Sequence, residues 1–210
     1  MVKISTVLSS PLVWLLDTAI YTAQLTAGLA FFAPLAIAKF LTKGGVKAFS
    51  RNVETYNMCS SLPFGSTVFT SLLCLVAPYS GSVSPKVMSL TATSATVTLA
   101  EKPWLHNPFS SIHAVALTNL GELVSGLVVV TALQEVRGAR GIVVKLGATY
   151  KKKARGLITA TSTVELPGPG EHERVVVSIL KDGKGDVVAV VEAVWKFSIP
   201  GEGEKGKKTK

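Results

Sequence analysis

The sequence predicts an α+β fold in which an antiparallel sheet wraps around one long buried helix, and three observations carry that prediction. The stretch NPFSSIHAVALTNLGELVSGLVVVT (107–131) is apolar on almost every side, the pattern of a helix enclosed by its own protein. Strand-like runs lie on both sides of it, two before and four after, and those over 95–99 and 157–166 alternate. The last two runs are joined by KDGKGD (181–186), a Gly-Asp hairpin signal that makes them an antiparallel pair. A sheet that must cover one continuous buried helix does so by curling around it.

In chain order, the strongly apolar segment 11–41 comes first; Asp17 is its only charged residue before Lys39. The uncharged run 18–38 would extend about 30 Å as a helix at ~1.5 Å per residue, the thickness of a bilayer core. It is too long for a signal-peptide core and lacks the Arg-rich amphipathic pattern of an organelle presequence. Thr18, Tyr21, Thr22, Gln24 and Thr26 form a loose polar stripe, and Pro34 would bend the helix. A membrane span, a helix lying in the interface or docked on the domain, and a cleaved segment therefore all stay open. For a span, Lys39, Lys43, Lys47 and Arg51 follow the segment and only Lys3 precedes it. That asymmetry places the rest of the chain on the cytosolic or mitochondrial matrix side. An N-terminal hydrophobic segment (1–50), a single domain (51–199) and a disordered basic tail (200–210) are the expected units.

Residues 45–62 are polar and read as a connection. SLPFGSTVFTSLLCLVAPYSG (61–81) predicts a turn and about three helical turns, stopped by Pro78. Strands are expected over 83–90 and 95–99, followed by the Pro-rich connection EKPWLHNPF (101–109), with Ser110 or Ser111 as the N-cap of the central helix. Trp104 and Phe109 in this connection read as core or acyl-pocket wall. Beyond Gly138 and Gly141, strands are expected over 142–150, 157–166, 174–180 and 186–197, with KKKARG as a basic link and PGPGEHE (167–173) as a turn.

The composition narrows the partners. The 210-residue chain is 48% hydrophobic with a formal net charge of +9, a pI near 9.6 and a mean hydropathy of +0.41. Such a balance favours anionic partners. The cations divide among 39–51, 151–155 and 205–210. Nucleic acid is not expected: the densest link has only Tyr150 as a stacking neighbour and matches no recognition module. Cys59 and Cys74 lack metal-type spacing and the three histidines are not paired, so no metal and no bound cofactor is expected.

The central helix nevertheless carries Asn107, His113, Asn119 and Glu122, and burying a carboxylate and amides demands a reason. Asn107 stands six residues before His113, and Glu122 nine after it. With FTSLLCLVAPYSG before the helix and YKKKARGLITA after it, the pattern over 64–197 resembles the hotdog-fold acyl-CoA thioesterases of the phenylacetate-pathway type. The resemblance implies a thioester hydrolase in which Glu122 is general base or nucleophile. His113 and Asn107 would lie near the carbonyl, the Ala114 and Val115 amides at the helix N-terminus would form the oxyanion hole, and Lys151, Lys152, Lys153 and Arg155 would hold the phosphates of coenzyme A, itself part of the substrate. Asn119, at i−3 from Glu122, would support that carboxylate. Similar proteins usually have Gly-Gly where this chain has Ala114-Val115, and often Asp where it has Glu122. A non-catalytic acyl-CoA or lipid-binding hotdog protein is the alternative, whereas a dehydratase of this fold uses a different His-to-acid spacing.

Nine residues of helix turn His113 and Glu122 to opposite sides, ~13.5 Å apart along the axis. One reaction using both must draw one of them from a neighbouring chain, so a homodimer or a dimer of dimers, membrane-associated through 11–41 and serving lipid metabolism, is the expected unit.

Overall fold

The computed structural model describes residues 51–201 together with Thr18, so the expectations for the segment 11–41 and for the tail from 202 lie outside the described residues. Six strands form one antiparallel sheet in the order β1-β2-β4-β5-β6-β3. They are β1 (Lys86–Leu90), β2 (Ser94–Ala100), β3 (Arg140–Tyr150), β4 (Leu157–Thr163), β5 (Gly170–Lys181) and β6 (Val187–Ile199). Among the described residues from 51 onward, four α-helices accompany them, α1 (Asn52–Ser60), α2 (Gly65–Val76), the single turn α3 (Pro78–Gly81) and the central α4 (Ala114–Gln134), together with a 3-10 turn at Pro103–Leu105. The sheet wraps α4, and the arrangement is a hotdog fold.

Period-2 burial produces the wrap. On β2 the buried residues are Ala95, Val97 and Leu99, and on β4 Ile158, Ala160 and Ser162, all on the face that meets α4. Each large apolar side chain enclosed here, such as Leu120 or Val128 of α4, contributes about 1.5–3 kcal/mol relative to exposure. The helix lies close on β6 because Gly121 has no side chain; a Cβ there would overlap Val191. Ser178 on β5 donates its hydroxyl to the Gly121 carbonyl at 2.7 Å, a buried bond that fixes the helix on the sheet. Among the described residues α4 alone is long and apolar enough to cross a membrane, and it is the core helix.

Several boundaries differ from expectation. Residues 52–60 are a helix rather than a connection. That helix is held by polar contacts: the Asn52 N–H donates to Gln134 Oε1 at 2.8 Å and its Nδ2 to Thr131 Oγ1 at 3.0 Å. Tyr56 adds a hydroxyl bond to the Met88 carbonyl at 2.6 Å. β1 starts at Lys86 because Ser84 takes a positive φ of 53°. β5 begins at Gly170, inside the expected turn, because residues 170–173 pair with 196–199 of β6. Neither Ser110 nor Ser111 caps α4: Ser110 has φ 56°, Ser111 is bonded to Asn107, and the cap is His113. Trp104 and Phe109 are exposed rather than core or pocket wall; Lys102 Nζ lies 5.2 Å from the Trp104 ring centroid and Lys153 Nζ 5.9 Å from that of Phe109. The KDGKGD hairpin forms as expected, with Asp182 Oδ1 accepting the Lys184 and Asp186 N–H groups at 3.0 Å each.

Candidate active site

Between its first and last turns, α4 is buried except at Val115, Thr118, Glu122, Gly126 and Val130. That spacing of three or four residues is one stripe along the helix. It faces β3, one of the two edge strands of the sheet, from which Tyr150 reaches Thr118. Through its pairing with β6, β3 turns Val143, Leu146 and Tyr150 to the helix side, opposite Trp195, Ala193 and Ala189. Trp195 of β6 lies beside the stripe at Gly126.

Glu122 is the only charged side chain of the stripe. It is half-buried, and its carboxylate has no hydrogen-bond or ion-pair partner among the described residues. Desolvation by burial pushes its pKa above the usual carboxylate range. The carboxylate lies beside Gly126, where an added Cβ would stand 3.4 Å from Oε1 and 3.9 Å from Trp195 Cζ2. Trp195 Nε1 is buried and has no hydrogen-bond partner among the described residues. A carboxylate without a partner thus borders a side-chain-free position beside the Trp195 ring, an arrangement costly for stability and suited to a ligand.

The helix N-terminus carries the other expected residues. His113 caps α4 with extended backbone (φ −63°, ψ 139°), and its Nδ1 accepts the Val115 N–H at 3.2 Å. The Val115 amide is therefore engaged by the imidazole, whereas the Ala114 N–H has no acceptor among the described residues. Tyr150 covers the first turn from β3, its hydroxyl 2.5 Å from Thr118 Oγ1 and donating to the Ala114 carbonyl at 3.1 Å. Asn107 lies in the loop before the helix: its Oδ1 accepts the Phe109 N–H at 2.9 Å and its Nδ2 donates to Ser111 Oγ at 3.0 Å. Those bonds make it an Asx turn that shapes the helix entry. Asn119 is buried away from the stripe and donates to the Tyr79 carbonyl at 3.2 Å, pinning α3 to α4. Its amide is thus committed to the Tyr79 carbonyl, and it makes no hydrogen bond to the Glu122 carboxylate among the described residues.

The basic link 151–155 docks on the helix entry. The Ile112 N–H donates to the Ala154 carbonyl and Arg155 Nε to the Ser110 carbonyl, both at 2.9 Å. Lys152 is committed to the β5–β6 hairpin, 2.7 Å from Asp182 Oδ2 and 2.6 Å from Asp186 Oδ2. Those bonds raise the Lys152 pKa, and they hold the Asp182 carboxyl below its usual range. Lys151 and Lys153 remain exposed beside it.

The structure thus places Glu122 on the open stripe of α4 and gathers His113, Ala114, Val115, Asn107 and the basic link at the helix N-terminus. It adds Thr118, Gly126, Tyr150 and Trp195, which the spacing of polar residues in one helix could not select. Thr118 and Gly126 had a signal in the i, i+4 stripe through Glu122; Tyr150 and Trp195 enter only through the pairing of β3 with β6.

Solved structures share this architecture. The structural-genomics protein APC5556 is 22% identical with a TM-score of 0.61, over 70% of this chain and 98% of that one. The thioesterase HI1161 of Haemophilus influenzae is 16% identical with a TM-score of 0.52, over 63% and 90%. A variant of the thioesterase SAV0944 of Staphylococcus aureus is 15% identical with a TM-score of 0.50, over 58% and 98%. At these identities the likeness shows the hotdog fold. No functionally curated protein matches the chain. Residues 65–197 match the family described as a domain of unknown function, DUF4442, and the chain belongs to that family.

Proposed function

We propose that the protein hydrolyses acyl-CoA-type thioesters to a free acid and a thiol, with Glu122 as the general base. The observation that carries this reading is Glu122 itself: a half-buried carboxylate of raised pKa and without a partner, on the one open stripe of an otherwise buried helix. In the proposed step Glu122 takes a proton from water, the water oxygen attacks the thioester carbonyl, and the carbonyl oxygen becomes an oxyanion. The Ala114 N–H at a helix N-terminus receives that charge. Collapse breaks the C–S bond, and the thiolate leaves with the proton from Glu122. Lys151, Lys153 and Arg155 supply charge for the phosphates of the coenzyme A moiety.

Glu122 and the N-terminus of its own helix lie too far apart for one carbonyl, so the oxyanion donor comes from a second copy. β3 supports this pairing: it is a long edge strand with exposed Ile142, Val144 and Leu146, and such an edge is a template for another chain. The apolar segment 11–41 would hold the dimer at a membrane, with the domain in the cytosol or mitochondrial matrix.

An acyl-CoA panel assayed by thiol release tests the reaction. Turnover by the wild type and its loss in Glu122→Gln is the expected result, and full activity in the variant would remove Glu122 from the chemistry. The engagement of the Val115 amide by His113 favours a second reading, acyl-CoA binding without turnover. Saturable binding by a wild type that hydrolyses no member of the panel would establish it. Sedimentation velocity checks the two-chain site, which a monomer would exclude.

A further inference from the structure

Phe109 is 70% exposed on a loop that hydrogen bonds hold from both ends. Its own N–H donates to Asn107 Oδ1 at 2.9 Å, and the Ser110 N–H donates to the Asn107 carbonyl at 3.1 Å. Ser110 then takes φ 56°, a left-handed conformation that a non-glycine residue keeps only where its surroundings hold it. The basic link supplies that hold. Arg155 Nε donates to the Ser110 carbonyl and the Ile112 N–H to the Ala154 carbonyl, both at 2.9 Å. The exposed ring and the link thereby form one preorganised unit, in which Lys153 Nζ lies 5.9 Å from the Phe109 ring centroid.

The cations of this unit have capacity to spare. Among the described residues Lys153 makes no ion pair, and Arg155 engages a partner only through Nε, which leaves its Nη groups for a further acceptor. Glu101 is the carboxylate that meets the end of the link, and both its oxygens are taken: Oε2 accepts the Gly156 N–H, and Oε1 lies 2.7 Å from His106 Nε2. Phe64 and Tyr79 are exposed as well, but among the described residues no cation lies over either ring. A ring alone would take any apolar ligand, and two cations alone would take any anion. Together they select a planar ring that carries phosphate.

We propose that Phe109 is a stacking platform for the adenine of a phosphorylated adenosine ligand, with Lys153 and Arg155 meeting its phosphates. An exposed aromatic ring on a basic surface gains from stacking with any base, because every base has a π-face. The guanidinium fork matches phosphate oxygens, and the ammonium beside the ring adds a cation–π attraction. One ring suits one base, whereas a nucleic-acid strand stacks on successive rings. The unit stands at the entry of α4, the end where the Ala114 N–H is open. Coenzyme A, a phosphorylated adenosine that carries a thiol arm, is the ligand of this class that the thioester reading supplies. That identification rests on the thioester reading; the stacking platform does not.

Calorimetric titration of the full-length protein tests the platform with coenzyme A, with adenosine 3′,5′-bisphosphate, which keeps the base and lacks the arm, and with 4′-phosphopantetheine, which keeps the arm and lacks the base. Phe109→Leu keeps an apolar side chain and removes the ring. It should weaken the first two by roughly tenfold and the third by less than about twofold, with the thermal transition kept because the position is exposed. Phe109→Trp should restore the affinity, and adenosine 3′,5′-bisphosphate should quench its indole emission beyond any quenching in the wild type. Failure of the wild type to bind adenosine 3′,5′-bisphosphate, or an equal Kd for coenzyme A in wild type and Phe109→Leu, would overturn the platform. Tighter binding of single-stranded oligoadenylate than of coenzyme A would replace it with a nucleic-acid surface. The two readings fail separately. A protein that turns over acyl-CoA with no effect of Phe109→Leu on coenzyme A affinity loses only the platform. One that binds adenosine 3′,5′-bisphosphate through Phe109 and hydrolyses no acyl-CoA loses only the hydrolysis.

Discussion

The Glu122 carboxylate and the Trp195 indole stand on either side of Gly126, where a Cβ would lie 3.4 Å from one and 3.9 Å from the other. The backbone at Gly126 is helical and does not itself require glycine. Glycine in mid-helix is less favourable than alanine by about 0.5–1 kcal/mol. Gly126→Ala should therefore raise Tm by about 1–4 °C for a chain of this size. The same methyl group stands in van der Waals contact with Oε1 and occupies the space beside it, so thioester hydrolysis should fall by about tenfold, ~1.4 kcal/mol in the barrier. Thermal melts and kcat/KM on one preparation check both halves, and an alanine variant with undiminished turnover would show that the space is not used.

Glu122 gives a pH signature of fixed sign. Burial raises its folded pKa above the unfolded value, so the folded state holds the proton more tightly. Its contribution favours folding below the unfolded pKa and is lost as pH rises through the folded pKa. At neutral pH the ionised carboxylate is a net burden, and Glu122→Gln should remove it. The gain should be on the order of 1 kcal/mol or less once solvent screening is allowed for, and it should vanish in acid. As a general base Glu122 acts only when ionised, so the acid limb of kcat/KM should lie above the ordinary carboxylate range. A stability difference that grows toward acid would contradict the linkage.

The wrapped-helix architecture was legible because α4 is apolar nearly all round and because β2 and β4 alternate, both direct consequences of burial. Helix α1 was not, because Asn52 and Tyr56 hold it with hydrogen bonds and it has no apolar stripe to read. Trp104 and Phe109 misled because an aromatic ring was equated with core; here the rings lie at the surface under lysines. The spacing of His113 and Glu122 located them on different parts of the helix, since 3.6 residues per turn is independent of tertiary context. What surrounds Glu122 was hidden for the opposite reason: Trp195 and Tyr150 arrive from strands more than 25 residues away, through pairings such as Val143 with Trp195.

His113 is a helix cap in this structure, and a cap has a measurable value. Removing one costs about 0.5–2 kcal/mol. His113→Ala should lower Tm by about 2–4 °C per kcal/mol lost, and His113→Asn, which also accepts from the backbone, should restore most of it. The alanine variant also frees the Val115 N–H to meet a carbonyl oxygen. Its kcat should consequently fall by less than about tenfold, well short of the 10²–10⁴ expected for loss of a proton-transferring group. A larger fall, rescued in stability but not in rate by asparagine, would assign His113 a direct role on the substrate.

The four cations of the basic link should not act alike toward coenzyme A. Lys152 is held by Asp182 and Asp186, so its charge is already neutralised locally, and Arg155 supports the Ser110 carbonyl. Lys151 and Lys153 are exposed. Lys151→Met and Lys153→Met should each weaken inhibition by free coenzyme A several-fold at low salt and flatten its salt dependence, because a screened surface charge is what each removes. Lys152→Met should change that inhibition by less than about twofold. Its effect should be on folding, read as a small fall in Tm, because the pairs it loses are exposed and screened. Inhibition constants at two ionic strengths separate these outcomes. If Lys152→Met weakens coenzyme A binding as much as its neighbours do, the ion pairs with the hairpin must open in the complex, and the link would reorganise around the ligand instead of receiving it preformed.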